Sequence, residues 1–128
     1  MDNMRIEKFD KEKHYDSICE WFKKRNLNAP KSSMLSNNGI IVPDIACGFL
    51  YLTDSSLGFL DFYISNPMSD EKKRHKALEI ITNNLIMWAK DCDVSHLLAN
   101  SQVKTIQKLA FDNGFKELGF SLTFMKEL

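Results

Sequence analysis

The segment from Ser69 to Cys92 constrains this chain most. Ala77, Ile81, Leu85, Trp88 and Cys92 recur every three or four residues, Leu78 and Ala89 widen the stripe, and neither Gly nor Pro interrupts it, which predicts one long amphipathic helix. Ser69 is positioned to cap it, with Asp70 and Glu71 in the first turn, where negative charge suits the helix dipole. Apolar runs flank it on both sides, Leu57 to Ser65 before and Val94 to Ala99 after. A strand, a helix and a strand in that order form a crossover, so the two strands should run parallel in one sheet.

The rest of the chain is read around that unit. Residues 4–9 alternate apolar and polar side chains as a half-buried strand does, and Asp10 then caps a helix from about Lys11 to Arg25 with Tyr15, Ile18, Cys19 and Phe22 on one face. Trp21, Trp88 and Phe22 read as core. Pro30 to Ser36 suits a short helical turn. Residues 39–42 and 45–53 flank Pro43-Asp44 as a hairpin, Asp54 to Ser56 forms a second turn, and Leu57 to Ser65 completes three successive antiparallel strands. After the crossover, Val94 to Ala99 reads as a buried strand, Val103 to Asn113 as a helix closed by Gly114, and Phe115 to Met125 as one or two closing strands around Gly119. The expected architecture is one α+β domain over residues 1–128, with a mixed, mostly antiparallel sheet flanked by helices and two parallel central strands.

Charge and cysteine usage exclude several function classes. Seventeen Lys and Arg balance seventeen Asp and Glu in 128 residues, which argues against electrostatic coating of nucleic acid. Cys19, Cys47 and Cys92 are odd in number and widely spaced, as expected of a reduced compartment, and Cys47 and Cys92 fall in apolar patterns that read as core. His14, His75 and His96 share no ligand spacing with Cys or acidic residues, so no metal site is expected. The start of the chain lacks the apolar core of a signal peptide and no run could cross a bilayer. A cytoplasmic protein without membrane association is the expectation.

The element order, with a strand ending in Ser65-Asn-Pro67, a long helix, a strand ending at Asn100 and a short helix closing in Asp112-Asn-Gly-Phe-Lys-Glu-Leu-Gly119, resembles the GNAT acyltransferase fold. Cys19-Glu-Trp-Phe22, the run from Cys47 to Ser56, and Ile64-Ser-Asn-Pro67 look more narrowly like small GNAT-like proteins of tailed bacteriophages. The resemblance implies that the two parallel strands splay apart to form a cleft for acetyl-CoA, with Tyr63, Ile64 and Ser65 on one strand, Asn100 ending the other, and the diphosphate at the start of the long helix. Lys72, Lys73, Arg74 and His75 occupy that start, where unpaired N–H groups and partial positive charge favour anions. The same run also reads as a solvated helix face. Asn100 reads as a contact to the pantetheine arm or as a cap for the next helix.

Two departures from the family pattern bear on activity. The resemblance calls for glycines at the phosphate-binding helix start, yet no glycine occurs between Gly58 and Gly114, and Asp70, Lys73 and His75 stand at the motif positions. In many GNAT enzymes a Tyr four residues before the last helix's Gly-Phe protonates the leaving thiolate; here that position is Ala110. Transfer to an amine still needs a base for the ammonium proton. Asp61 is the candidate, expected on the same strand face as Tyr63 and Ser65 by the period of two, with a raised pKa if buried. It reads equally as a surface acid. The resemblance therefore supports an acetyl-CoA-dependent N-acyltransferase with an amine acceptor, a small molecule or a host protein, in a host cytoplasm. The alternative is a non-catalytic phage protein that binds a host factor or joins the virion.

Overall fold

The computed structural model describes residues 4–101, 104–119 and 122–128. Among them a five-stranded sheet runs in chain order: β1 (Glu7–Lys8), β2 (Asn38–Val42), β3 (Ala46–Leu52), β4 (Leu57–Ser65) and β5 (His96–Ala99). The first four strands pair antiparallel. β4 and β5 pair parallel from Leu57 opposite His96 to Leu60 opposite Ala99, as the crossover requires. The mixed sheet flanked by helices is therefore the one expected, except that β5 ends the strand order instead of lying at its centre.

Two amphipathic helices cover opposite faces. Helix α1 (Lys11–Lys24) starts at Asp10, whose carboxylate accepts from the Glu12 N–H, and it buries Ile18, Trp21 and Phe22. These pack with Phe9, Ile41, Cys47, Phe49 and Ile64 on one face of the sheet. Helix α2 (Glu71–Asp91) buries Ala77, Leu78, Ile81, Leu85 and Ala89 against Ile40, Val42, Leu50 and Leu60 on the other. Consecutive residues Ile40, Ile41 and Val42 thus serve alternate cores, the signature of a strand buried on both sides. A short 3-10 turn (Ser32–Met34) leads into β2, and the Pro43-Asp44 turn carries Asp44 at φ 68.

Several expectations are corrected. The first strand is Glu7–Lys8 alone, because Phe9 already turns into the α1 core. The cap of α2 is Asp70, not Ser69: its carboxylate accepts from the Lys73 N–H at 3.2 Å, and its negative charge suits the positive end of the helix. Cys92 is exposed, since it ends α2 as its C-cap after the helix has left the sheet. β5 is largely exposed rather than buried, because neither helix covers that end. Helix α3 (Lys104–Asp112) follows, closed by Gly114 at φ 83; the expected first residue, Val103, lies outside the described residues. No strand occurs in 115–119 or 122–128, and residues 120 and 121 of the expected closing strands are likewise outside the description.

Candidate functional site

The site follows from a mismatch in β4. Phe49 pairs with Asp61 and Cys47 with Ile64, so Gly48 alone faces Phe62 and Tyr63, a β-bulge with one extra residue on β4. Phe62 sits at φ 53, a strained value for an aromatic residue. Its N–H donates to the Asp61 carboxylate at 2.7 Å, which ties the bulge together. Gly48 is required here. A Cβ on it would meet the Tyr63 ring at 2.7 Å, so the missing side chain makes room for the phenol.

The extra residue changes which face each side chain takes. Leu60 and Tyr63 join the α2 core, while Phe62 and Ile64 join the α1 core, and Asp61, paired with Phe49, shares the α1 face. The expectation that Asp61 and Tyr63 share a face is thus wrong. A period of two holds only until the bulge, after which every side chain moves to the other face. Asp61 is also exposed rather than buried.

Pairing with β5 stops at Leu60, and beyond that point the two strands part. A cleft of about 260 Å³ opens in the gap. Leu60 and Tyr63 of β4 and Thr82 of α2 form one wall, and Ala99, Asn100, Ile106, Leu109, Ala110 and Phe115 form the other. Phe22, Asp61 and Phe62 line it from the α1 side. Because residues from both faces of the sheet line one space, the cleft passes between the strands. Its lining is mostly apolar, and the Tyr63 hydroxyl shares a hydrogen bond with Thr82 Oγ1 at 3.0 Å. Burial pushes the Tyr63 phenol well up from its ordinary value, with the Thr82 hydrogen bond opposing. It therefore stays protonated at any ordinary pH.

Of the residues expected from sequence, Asp61, Tyr63 and Asn100 meet at the cleft. Ile64 is buried in the α1 core. Lys72, Lys73 and His75 are exposed on the first turns of α2. Arg74 turns back, donating to the carbonyls of Pro67 and Ser69, so it shapes the β4–α2 loop. Ser65 is held by a residue that sequence reasoning missed. Arg25, the C-cap of α1, donates through Nε to the Ser65 carbonyl at 2.9 Å and through Nη2 to its hydroxyl at 2.8 Å. Partial burial and the nearby Arg74 guanidinium lower the Arg25 pKa. Two guanidinium groups therefore converge where β4 meets α2. No local pattern marks Arg25, since its partner is 40 residues away. Thr82, Ile106 and Leu109 were missed as well; they read as ordinary helix-face residues. Among the described residues no cluster of His, Cys, Asp and Glu could hold a metal ion, and no helix is long and apolar enough to cross a membrane.

A parallel strand pair that opens at the start of a crossover helix is the layout of an acyltransferase fold, and comparison with solved structures identifies which one. The aminoglycoside acetyltransferase AAC(6')-Iy, solved in complex with the bisubstrate analogue CoA-S-monomethyl-acetylneamine, superposes with a TM-score of 0.67 at 14% identity over 99% of this chain and 100% of that one. Glucosamine-6-phosphate N-acetyltransferase from Arabidopsis thaliana gives 0.63 at 11% identity over 98% and 100%. The aminoglycoside 6'-N-acetyltransferase AAC(6')-IG from Acinetobacter haemolyticus gives 0.61 at 17% over 98% and 99%. The chain thus has the GNAT acetyltransferase fold. No family model matches its sequence, and no curated protein does.

Proposed function

We propose that the chain is an acyl-CoA-dependent N-acyltransferase whose acceptor is a primary amine, acting as a single domain over residues 1–128. The observation that carries this reading is the cleft beside β4: that strand has no partner beyond Leu60 on the β5 side, and the gap is mostly apolar and lined by residues from both faces of the sheet. Such a slot fits a pantetheine arm, whose amides can pair with the open β4 edge at Tyr63 and Ile64 and with Asn100 opposite, while the Ser65 carbonyl is already held by Arg25. The phosphate end is fitted less completely. Lys72 and Lys73 beside His75, with Arg25 and Arg74 at the loop, supply positive charge, whereas Asp70 already occupies the Lys73 N–H at the helix start.

Acyl-CoA supplies a thioester, and the chain's residues handle orientation and protons. As the amine nitrogen bonds to the acyl carbon and the carbon–sulfur bond breaks, one proton must leave the nitrogen and one must reach the sulfur. Asp61, exposed at the α1 side of the gap, takes the first directly or through a water. No phenol stands at Ala110 to give the second. Tyr63 keeps its proton and shares a hydrogen bond with Thr82, so a solvent water gives the departing sulfur its proton.

Calorimetric titration with acetyl-CoA and desulfo-CoA tests the cofactor half of this reading. Micromolar affinity is expected, and charge reversal at Lys73 and Arg74 should weaken it roughly tenfold or more. Thiol release against a panel of amines tests the chemistry. Asp61→Asn should lower turnover by about 10² to 10⁴ without changing acetyl-CoA affinity. A second reading, a non-catalytic phage protein that binds a host factor or belongs to the virion, is favoured by the Asp70 carboxylate at the helix start and by Ala110. Absence of CoA binding would select it.

A further inference from the structure

The far wall of the cleft is recessed at Ala110. Ile106, Leu109 and Ala110 stand at i, i+3 and i+4 on α3 and all line the space, so one face of that helix is turned to it. Phe115 follows just beyond Gly114 and lines it as well. Ile106, Leu109 and Phe115 also pack against the α2 core, which sets three large apolar side chains around one small one. Ala110 is partly buried and brings only a methyl group, so the wall leaves room where it stands.

Polarity is spread unevenly over the lining. Asp61 is the one charged group among the described lining residues, and it stands on the α1 side with Phe22 and Phe62. Asn100 and Ser101 lie past the end of β5. On the α2 and α3 side the polar side chains are Tyr63 and Thr82, whose hydroxyls bond to each other at 3.0 Å. The other side chains there are hydrocarbon. Size points the same way: a cavity of about 150 Å³ lined by Leu, Ile and Phe holds a six-carbon ring. This cleft has about 260 Å³, room for the thioester end of a pantetheine arm and for several carbons more.

We infer that the transferred group is longer than acetyl: an uncharged, unbranched acyl chain of about four to six carbons that lies against Ile106, Leu109 and Ala110, with Asp61 and the amine on the opposite side. The inference rests on the acyltransferase reading above and names its donor. The transfer itself is the same for any chain length. The amine nitrogen bonds to the acyl carbon as the carbon–sulfur bond breaks, Asp61 takes the nitrogen's proton, and CoA leaves as a thiol with a proton from water. Chain length acts on binding, because each methylene withdrawn from water strengthens it about two- to fourfold. A terminal carboxylate would instead be buried among hydrocarbon with no cation to meet it.

Calorimetric titration of the full chain with CoA and with acetyl-, butyryl-, hexanoyl- and succinyl-CoA tests it, and no acceptor is needed. Affinity should rise about two- to fourfold per methylene from acetyl to hexanoyl. Succinyl-CoA, with the same number of acyl carbons as butyryl-CoA, should bind at least roughly tenfold more weakly than it. Ala110→Leu fills the recess and should bring the butyryl-to-acetyl affinity ratio down to about one. The unaltered chain carries the decisive series, so the outcome does not depend on that variant folding. Acetyl-CoA binding with an affinity that stays level or falls as the chain lengthens overturns this inference and leaves the acyltransferase reading standing. Failure of every ligand to bind, CoA included, overturns both.

Discussion

The two walls of the cleft are built differently. The wall of β4 and α2 rests on both cores: Leu60, Ile64, Ala77, Leu78, Ile81 and Leu85 are all buried, and Phe49 behind them is fully enclosed with Phe9 edge-on at 4.9 Å. The wall of β5 and α3 rests on neither in full. Beyond Ala89 no described residue is buried, and Ile106, Leu109 and Phe115 are only partly covered where they meet the α2 core. One side of the site is thus held by packing and the other by a few half-exposed contacts, which is how proteins build elements that open at low free-energy cost. Any opening of the gap is therefore expected to move α3 and leave the bulge alone.

The largest expected effect tests that contrast directly. Phe49→Ala removes a fully buried ring and should cost about 3 to 5 kcal/mol of stability, whereas Leu109→Ala on the opposite wall should cost about 1 kcal/mol, because that side chain is only partly buried. Urea unfolding of both variants measures the difference. Equal losses would mean that α3 belongs to the main cooperative unit. Acetyl-CoA titration of the same pair should invert the ranking, since Leu109 faces the cleft and Phe49 does not.

Alkaline pH probes the firm wall alone. Burial pushes the Cys47 thiol far above its ordinary value, against a hydrogen bond to the Ile64 backbone, so the folded chain keeps that proton at pH values where the unfolded chain loses it. The folded pKa is raised; the stabilising difference is therefore complete below the unfolded value near 9 and is lost as pH rises beyond it. Stability should fall above about pH 9 with a slope approaching 1.4 kcal/mol per pH unit from this group. Cys47→Ala should flatten that slope.

How much of this was legible in the sequence follows the same division. The firm half reads well, because β2, β3, β4 and α2 are long periodic elements whose apolar residues have one place to go. The bulge was concealed. Leu57 to Ile64 is an apolar run broken only by Gly58 and Asp61, and a one-residue excess on one strand leaves no mark in that strand's own pattern. Its signal lay across the ladder in Gly48, since a glycine inside a strand often marks a bulge or a close approach. Reading Gly48 that way would have separated Asp61 from Tyr63. The loose half misled in a different manner: the run from Val94 to Ala99 has the composition of a buried strand, and composition alone does not reveal that no helix covers it. Arg25 was invisible because a contact between the end of one helix and the end of a distant strand is tertiary information.

The smallest effect separates what the start of α2 does for folding from what it offers a ligand. Asp70 caps the helix through the Lys73 N–H, and its negative charge suits the dipole of that terminus. The same charge opposes a diphosphate arriving at the same N–H groups. Asp70→Asn keeps a side-chain oxygen, and Asn caps about as well as Asp, so the firm wall should hold and the midpoint of urea unfolding should barely move. Acetyl-CoA affinity should rise roughly two- to fivefold, the scale of one charge at a helix end, and the gain should shrink as salt increases. Asp70→Ala removes the cap as well and should lose stability while gaining affinity. If Asp70→Asn instead weakened acetyl-CoA binding, the carboxylate would be contributing to the site, and the view of α2 as a helix whose start is organised for folding rather than for phosphate would have to be given up.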